Sequence, residues 1–163
     1  MKIELEMGTT LEESTQEDID YVETHFREGD RLEHESLGGA STSIDEFEQC
    51  WTVRHDGKII GFCGVAIPDG TTVLGPERFL CYMSCTNADK VKMAYVKMSR
   101  KVMQEIVART RPWVNTFLSL PNKEYVGSVI WHERVLKMDR LCPVRFRGHD
   151  FVLFKTTRSE VLK

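Results

Sequence analysis

The chain has 163 residues, of which 41% are hydrophobic and 29% are charged, values that are ordinary for a globular protein. No apolar run is long enough to cross a bilayer, and the acidic N-terminus lacks the apolar core of a signal peptide. These features argue against a membrane protein and predict one cytoplasmic domain over residues 1–163. The five cysteines have no framework spacing, so we expect buried thiols and no metal site.

Charge is distributed unevenly along the chain. Residues 1–49 contain 15 acidic and 3 basic side chains, whereas residues 50–163 contain 10 acidic and 19 basic ones. Such a division is compatible with a basic surface for phosphates or nucleic acid, and also with ordinary solvated helix faces. Because the acidic residues are dispersed rather than gathered in one block, we favour the second interpretation, and nucleic acid is the less favoured partner.

The N-terminal third predicts a strand and a helix. Residues 2–7 alternate apolar and polar side chains, which is typical of a strand. A helix capped by Ser14 or Thr15 would follow and end at Gly29, since glycine commonly terminates helices. Residues 31–45 would then form a loop or a broken helix.

The rest of the chain predicts a hairpin, a strand–helix–strand unit, a further helix and a second hairpin. The Asp56-Gly57 pair between two apolar runs is a strong hairpin signal. In order, the predicted elements are strands 51–54, 59–67 and 79–85, a helix 89–109, a strand 113–120, a helix 124–137, and strands 143–146 and 150–155. Hairpins combined with one crossover predict an α/β domain with a mixed, mostly antiparallel sheet and helices on both faces.

The strand–turn–helix between Phe79 and Arg109 is the segment most suggestive of function. An apolar strand leads through a turn into a helix rich in Lys and Arg. The N-terminus of a helix presents backbone N–H groups and the positive end of its dipole, so this junction is suited to binding an anion.

The order of elements and three segments resemble the GNAT (Gcn5-related N-acetyltransferase) fold. The hairpin QCWTVRHDGKIIGFCGVAI, the strand FLCYMSC and the strand NTFLSLPN match its central strands in order. The resemblance covers most of the chain and implies an acyl-CoA-dependent N-acetyltransferase that uses acetyl-CoA and an amine acceptor. The cofactor contacts implied are Met83, Ser84, Cys85, Thr86, Asn87, Ala88, Lys90, Val91, Asn122 and Tyr125.

The resemblance also implies catalytic candidates, although the sequence departs from the family pattern in two places. Glu77 is the candidate base, and Tyr125 or His132 the candidate acid. The usual acid is a tyrosine at the position that Val129 occupies here, and the usual glycines are missing from the loop between Cys85 and Val91. Glycine-free backbone approaches phosphates less easily, which puts pyrophosphate binding in doubt.

A narrower similarity supports a second hypothesis. The segment from Phe79 to Phe154 resembles a GNAT-like internal virion protein family of short-tailed phages, through its Ser/Thr-Asx turn, basic helix and closing Phe-rich hairpin. This resemblance implies a phage-encoded protein in the host cytoplasm or the virion interior. Its alternative function would be a catalytically degenerate scaffold that binds a virion or host protein, because fold alone does not guarantee activity.

Overall fold

The computed structural model describes residues 1–67, 77–85 and 92–163, and one sheet runs through all three segments. The strands are β1 (Lys2–Glu4), β2 (Thr9–Glu13), β3 (Phe47–His55), β4 (Lys58–Ala66), β5 (Glu77–Ser84), β6 (Thr116–Ser119), β7 (Asp139–Phe146) and β8 (His149–Thr157). The helices are α1 (Gln16–Thr24), α2 (Glu28–Ser36), α3 (Lys92–Arg109), α4 (Val126–Arg134) and α5 (Arg158–Val161). No described helix is both long and apolar enough to span a membrane.

The eight strands lie in the order β1-β2-β3-β4-β5-β6-β8-β7. Every neighbouring pair is antiparallel except β5 and β6, which are parallel because the α3 crossover connects them. The prediction of a mixed, mostly antiparallel sheet is therefore confirmed.

The sheet is covered by helices on both faces, as predicted. On one face, Ile19 and Val22 of α1 pack against Phe62 of β4. On the other face lies a larger core, in which the apolar side of α3 packs against β3, β4, β6 and β8. Its fully buried members include Met103, Val107, Phe117 and Phe154.

The N-terminal predictions need three corrections. The first strand is the hairpin β1–β2, because Met7 and Gly8 adopt positive φ angles and reverse the chain. The first helix ends at Thr24 rather than at Gly29, and a second helix, α2, occupies much of the predicted loop. Gly29 lies inside α2, where its missing side chain makes room for an aromatic ring: a Cβ there would lie 2.1 Å from Tyr125 Cζ.

Both predicted hairpins are present; β3, β7 and β8 are longer than the sequence indicated, and β4 has the predicted length and begins one residue earlier. In each, a non-glycine residue and then a glycine take positive φ, as the favoured two-residue hairpin turns require: Asp56-Gly57 joins β3 to β4, and Arg147-Gly148 joins β7 to β8. The predicted start of the long helix at Asp89 lies outside the described residues. In the described part of the chain, α3 runs from Lys92.

Gly61 allows β4 and β5 to approach closely. A Cβ at this position would lie 2.5 Å from the backbone oxygen of Met83 and 3.3 Å from Ser84 Cα. Both atoms belong to backbone, which cannot rotate away, so any larger residue would push β5 outward.

We predict that Gly61→Ala destabilises the protein by about 1–3 kcal/mol, the usual range for overpacking. Gly127→Ala is the matched control, because a Cβ at this helical position meets nothing closer than 3.5 Å; it should be neutral or stabilising by up to about 1 kcal/mol. Urea denaturation of both variants tests the comparison, and equal stabilities would contradict it.

Candidate active site

A cleft opens where β5 and β6 separate. Their pairing comprises three residue pairs, of which Phe79↔Leu118 is the last, although β5 continues to Ser84. Past this point β6 ends at Ser119, and the two chain segments form the sides of a V-shaped opening of ≈ 710 Å³. Residues of α2 and α4 complete its walls.

One backbone edge of β5 borders this opening. The Leu80 carbonyl oxygen lies 3.4 Å from Ser119 Oγ on β6, and the Ser84 carbonyl accepts a hydrogen bond from the Arg27 N–H. Because backbone groups alternate in direction along a strand, Tyr82 presents its backbone to the same side. The edge beyond Phe79 therefore faces the cleft instead of a neighbouring strand.

His132 and Ser119 form a buried hydrogen-bonded pair in the cleft wall. His132 Nε2 lies 2.7 Å from Ser119 Oγ, and His132 Nδ1 lies 2.7 Å from the Ser128 carbonyl oxygen. A carbonyl only accepts, so Nδ1 must carry the ring proton, and Nε2 accepts the hydrogen bond that the Ser119 hydroxyl donates. Geometry thus selects a single neutral tautomer.

The surroundings of His132 keep the ring uncharged. It stacks on Phe154 at 5.3 Å and meets the edge of Trp131 at 5.2 Å. Burial among these groups lowers the pKa of His132 to about 4, against a smaller opposing effect of the Ser128 carbonyl. At neutral pH, His132 Nε2 is therefore unprotonated and accepts the hydrogen bond from the Ser119 hydroxyl.

Arg27, Asp30 and Tyr125 form a second polar group at the α2 side of the cleft. Arg27 Nε donates to Asp30 at 3.0 Å, and Arg27 Nη2 donates to the Tyr125 hydroxyl oxygen at 2.9 Å. Burial raises the pKa of Asp30 more strongly than the Arg27 charge lowers it. The guanidinium links helix α2 to the start of α4 and orients the Tyr125 hydroxyl.

Glu33 lies one helical turn after Asp30 and also lines the cleft. Its Oε1 accepts a hydrogen bond from the Asn122 N–H at 3.1 Å. Burial, and then the neighbouring charge of Asp30, raise the pKa of Glu33 to about 8. The opposing influences, from Ser128, Asn122 and Arg27, are weaker.

Four of the residues predicted from the sequence line the cleft: Met83, Ser84, Tyr125 and His132. Cys85 does not line the cleft, because it is fully buried and its backbone forms an isolated β-bridge with Phe26. The predicted loop residues Thr86, Asn87, Ala88, Lys90 and Val91 lie outside the described residues.

Two further predicted residues lie apart from the opening. Glu77 is exposed at the start of β5, beside Thr116 at the closed end of the V. Asn122 is buried, and its side-chain amide is hydrogen-bonded within the protein. Its Nδ2 donates to Ser36 Oγ at 3.1 Å, and its Oδ1 accepts from the Glu124 N–H at 2.8 Å. Asn122 therefore fastens α2 to the segment between β6 and α4.

The sequence interpretation missed Arg27, Asp30, Glu33 and Ser119. The first three were overlooked because Gly29 was taken as a helix end and the segment after it as a loop. Polar residues three positions apart, Asp30, Glu33 and Ser36, were the available signal of a polar helix face. The Ser119–His132 pair had no sequence signal, since thirteen positions separate its members.

The fold is that of GNAT acetyltransferases. The chain is similar to a structure of the aminoglycoside acetyltransferase AAC(6')-Ib with coenzyme A (15% identity, 93% of this chain and 95% of that one, TM-score 0.66). It is also similar to the ribosomal-protein-alanine N-acetyltransferase from Brucella melitensis (11%, 90% and 98%, 0.65) and to RimL, a ribosomal L7/L12 alpha-N-protein acetyltransferase, with coenzyme A (10%, 96% and 99%, 0.64). No protein-family model and no curated protein matches the sequence.

We predict that His132 contributes pH-dependent stability. Its pKa is lower in the folded protein than in the unfolded chain, so protonation favours unfolding. The contribution is complete above about pH 6.5 and is lost as the pH falls towards 4, by an amount on the order of 3 kcal/mol. The stability difference between the wild type and His132→Gln, from urea denaturation, should therefore shrink between pH 7 and pH 4. A difference independent of pH would contradict this assignment.

Proposed function

We propose that the protein is an acyl-CoA-dependent N-acetyltransferase. The observation that carries the proposal is the opening of the sheet between β5 and β6 into a cleft of ≈ 710 Å³ that side chains leave unfilled. Solved structures of the same fold contain coenzyme A or acetyl-CoA. A strand edge turned towards a cleft fits the amide-rich arm of such a ligand, because it offers backbone donors and acceptors in a row.

Acetyl-CoA supplies an activated thioester carbonyl. In this chain, Met83 and Ser84 on the β5 edge would hold its arm, and the segment that follows Cys85, through Thr86, Asn87, Ala88, Lys90 and Val91, is the proposed position for its phosphates. Lys90 supplies a positive charge there, where the family's glycines are absent. We assign neither Asn122 nor Glu77 to binding or catalysis. Asn122 is buried with its side chain bonded within the protein, and Glu77 lies at the closed end of the opening.

Tyr125 is the proton donor that we propose for the departing thiolate. Its hydroxyl oxygen accepts a hydrogen bond from Arg27, so its own hydrogen is directed away from the guanidinium. The adjacent positive charge also stabilises the oxygen as it loses its proton. His132 is not suited to this role, because at neutral pH it carries its proton only on Nδ1, bonded to Ser128.

The alternative is an inactive scaffold, phage-encoded and bound to a virion or host protein. We place it second, because a scaffold has no need to keep an opening in its sheet. Loss of the cleft would restore strand pairing and buried apolar area, both of which stabilise a protein. The acceptor classes acted on by its structural neighbours, aminoglycosides, spermidine and protein N-termini, form the first panel for assay.

We predict that acetyl-CoA stabilises the protein and that filling the cleft abolishes the effect. At a hundredfold excess over Kd, binding should add about 2.7 kcal/mol and raise Tm by roughly 5–10 °C. Ser128→Trp, which places an indole in the cleft, should remove this rise. Arg134→Trp is the matched control, since Arg134 is exposed on the same helix and lies outside the cleft wall.

If differential scanning fluorimetry and calorimetry with millimolar acetyl-CoA both show no binding to the wild type, the enzyme proposal is wrong. Equal loss of the effect in both tryptophan variants would show that the ligand binds elsewhere.

We predict that Tyr125→Phe lowers kcat by about a hundredfold or more, the usual contribution of a positioned proton donor. The Kd of acetyl-CoA should remain within about threefold of the wild type, because the ring and its contact with Gly29 remain. Steady-state kinetics on whichever panel amine is acetylated, together with calorimetry, separates the two constants. An unchanged kcat would remove Tyr125 from the mechanism.

A further inference from the structure

Helix α2 places two carboxyl groups, those of Asp30 and Glu33, at one side of the cleft. In the described part of the chain, no Lys or Arg nitrogen makes an ion pair with Glu33, whereas Asp30 on the same helix face is paired with Arg27 at 3.0 Å. Among the described residues, therefore, Asp30 has a basic ion-pair partner and Glu33 has none.

The groups around Glu33 leave its carboxylate form without a directly paired cation among the described residues. From α2 and its cap it faces Asp30 and Arg27, and Arg27 exerts the weakest of the five influences on it. From the α4 side it meets the Ser128 hydroxyl, and from β5 the Cys81 thiol, which burial and neighbouring acids keep protonated. Of these groups Arg27 is the cation, and its guanidinium is already paired with the Asp30 carboxyl at 3.0 Å.

We propose that Glu33 is the acceptor-recognition group of the cleft, and that the acceptor is a primary aliphatic amine that enters as the ammonium ion. This inference rests on the proposed function. An ammonium beside Glu33 would supply a paired positive charge that the described residues do not, and its N–H donors suit a carboxylate that lines the opening. A neutral alcohol of the same size would supply no charge and should be rejected.

Recognition of this kind couples amine binding to proton release. In the empty cleft, Glu33 is mostly protonated at pH 7, because burial and Asp30 raise its pKa to about 8. Only the carboxylate pairs with an ammonium ion, so binding must lower this pKa and expel a proton below pH 8. Above pH 9 the carboxylate is already formed and binding should release none.

The first experiment follows Glu33 itself by carbon NMR of side-chain carboxyls, with its signal assigned by its absence in Glu33→Gln. We expect a midpoint near pH 8 in the free protein. Addition of n-butylamine should lower that midpoint by at least one pH unit, whereas n-butanol at the same concentration and ionic strength should leave it unchanged. An unchanged midpoint with the amine, or an equal shift with the alcohol, overturns the proposal.

The second experiment separates acceptor recognition from acetyl-CoA binding. Glu33→Gln should lower kcat/KM for amine acetylation at least tenfold and leave the thermal shift with acetyl-CoA intact. Glu35→Gln is the control, because Glu35 is exposed on the same helix outside the cleft, and it should behave as the wild type. Wild-type kcat/KM in Glu33→Gln would overturn the inference. Absence of acetyl-CoA binding would overturn the proposed function while the NMR result still decides the role of Glu33.

Discussion

The separation of β5 from β6 is the constraint on which the rest of this structure depends. Parallel pairing stops after Phe79↔Leu118, so β5 reaches Ser84 with one edge uncovered by a strand. Uncovered backbone must find other partners, and here the cap of α2 supplies one, because the Arg27 N–H bonds the Ser84 carbonyl. The same contacts that satisfy the opening also determine which side chains line it.

The two polar groups of the cleft illustrate opposite effects of burial. Burial removes the charge from His132 by lowering its pKa and from Glu33 by raising its pKa, so both groups are mostly neutral in the empty protein at pH 7. His132 is enclosed by aromatic rings and has its hydrogen bonds satisfied, which makes it a support for Ser119. Glu33 also lines the cleft, but it is a carboxyl group with no ion-pair partner among the described residues. The two groups therefore differ in their partners: both ring nitrogens of His132 are bonded within the protein, whereas the carboxylate form of Glu33 can still pair with a cationic ligand.

Small residues make these arrangements possible. Gly29 lets the Tyr125 ring lie against α2, and Gly61 lets β4 support β5 at the point where β6 has departed. Each glycine is therefore required because a Cβ at its position would collide with a neighbouring group, and not because it ends a helix. The sequence interpretation of Gly29 failed for this reason: a helix end and a close contact both favour glycine, and only the position of a residue 96 places later distinguishes them.

The sequence by itself determined a mixed, mostly antiparallel sheet, the helices α1, α3 and α4, and the hairpins β3–β4 and β7–β8, because alternation, helical spacing and Asp-Gly or Arg-Gly turns act between near neighbours. It also indicated β5, Tyr125 and His132 through a family resemblance. Only the tertiary structure decided that Glu77 and Asn122 lie outside the cleft, that Ser119 bonds His132, and that Glu33 lines the cleft with no ion-pair partner among the described residues. Burial and pairing between distant segments set these properties, and no local pattern of residues encodes them.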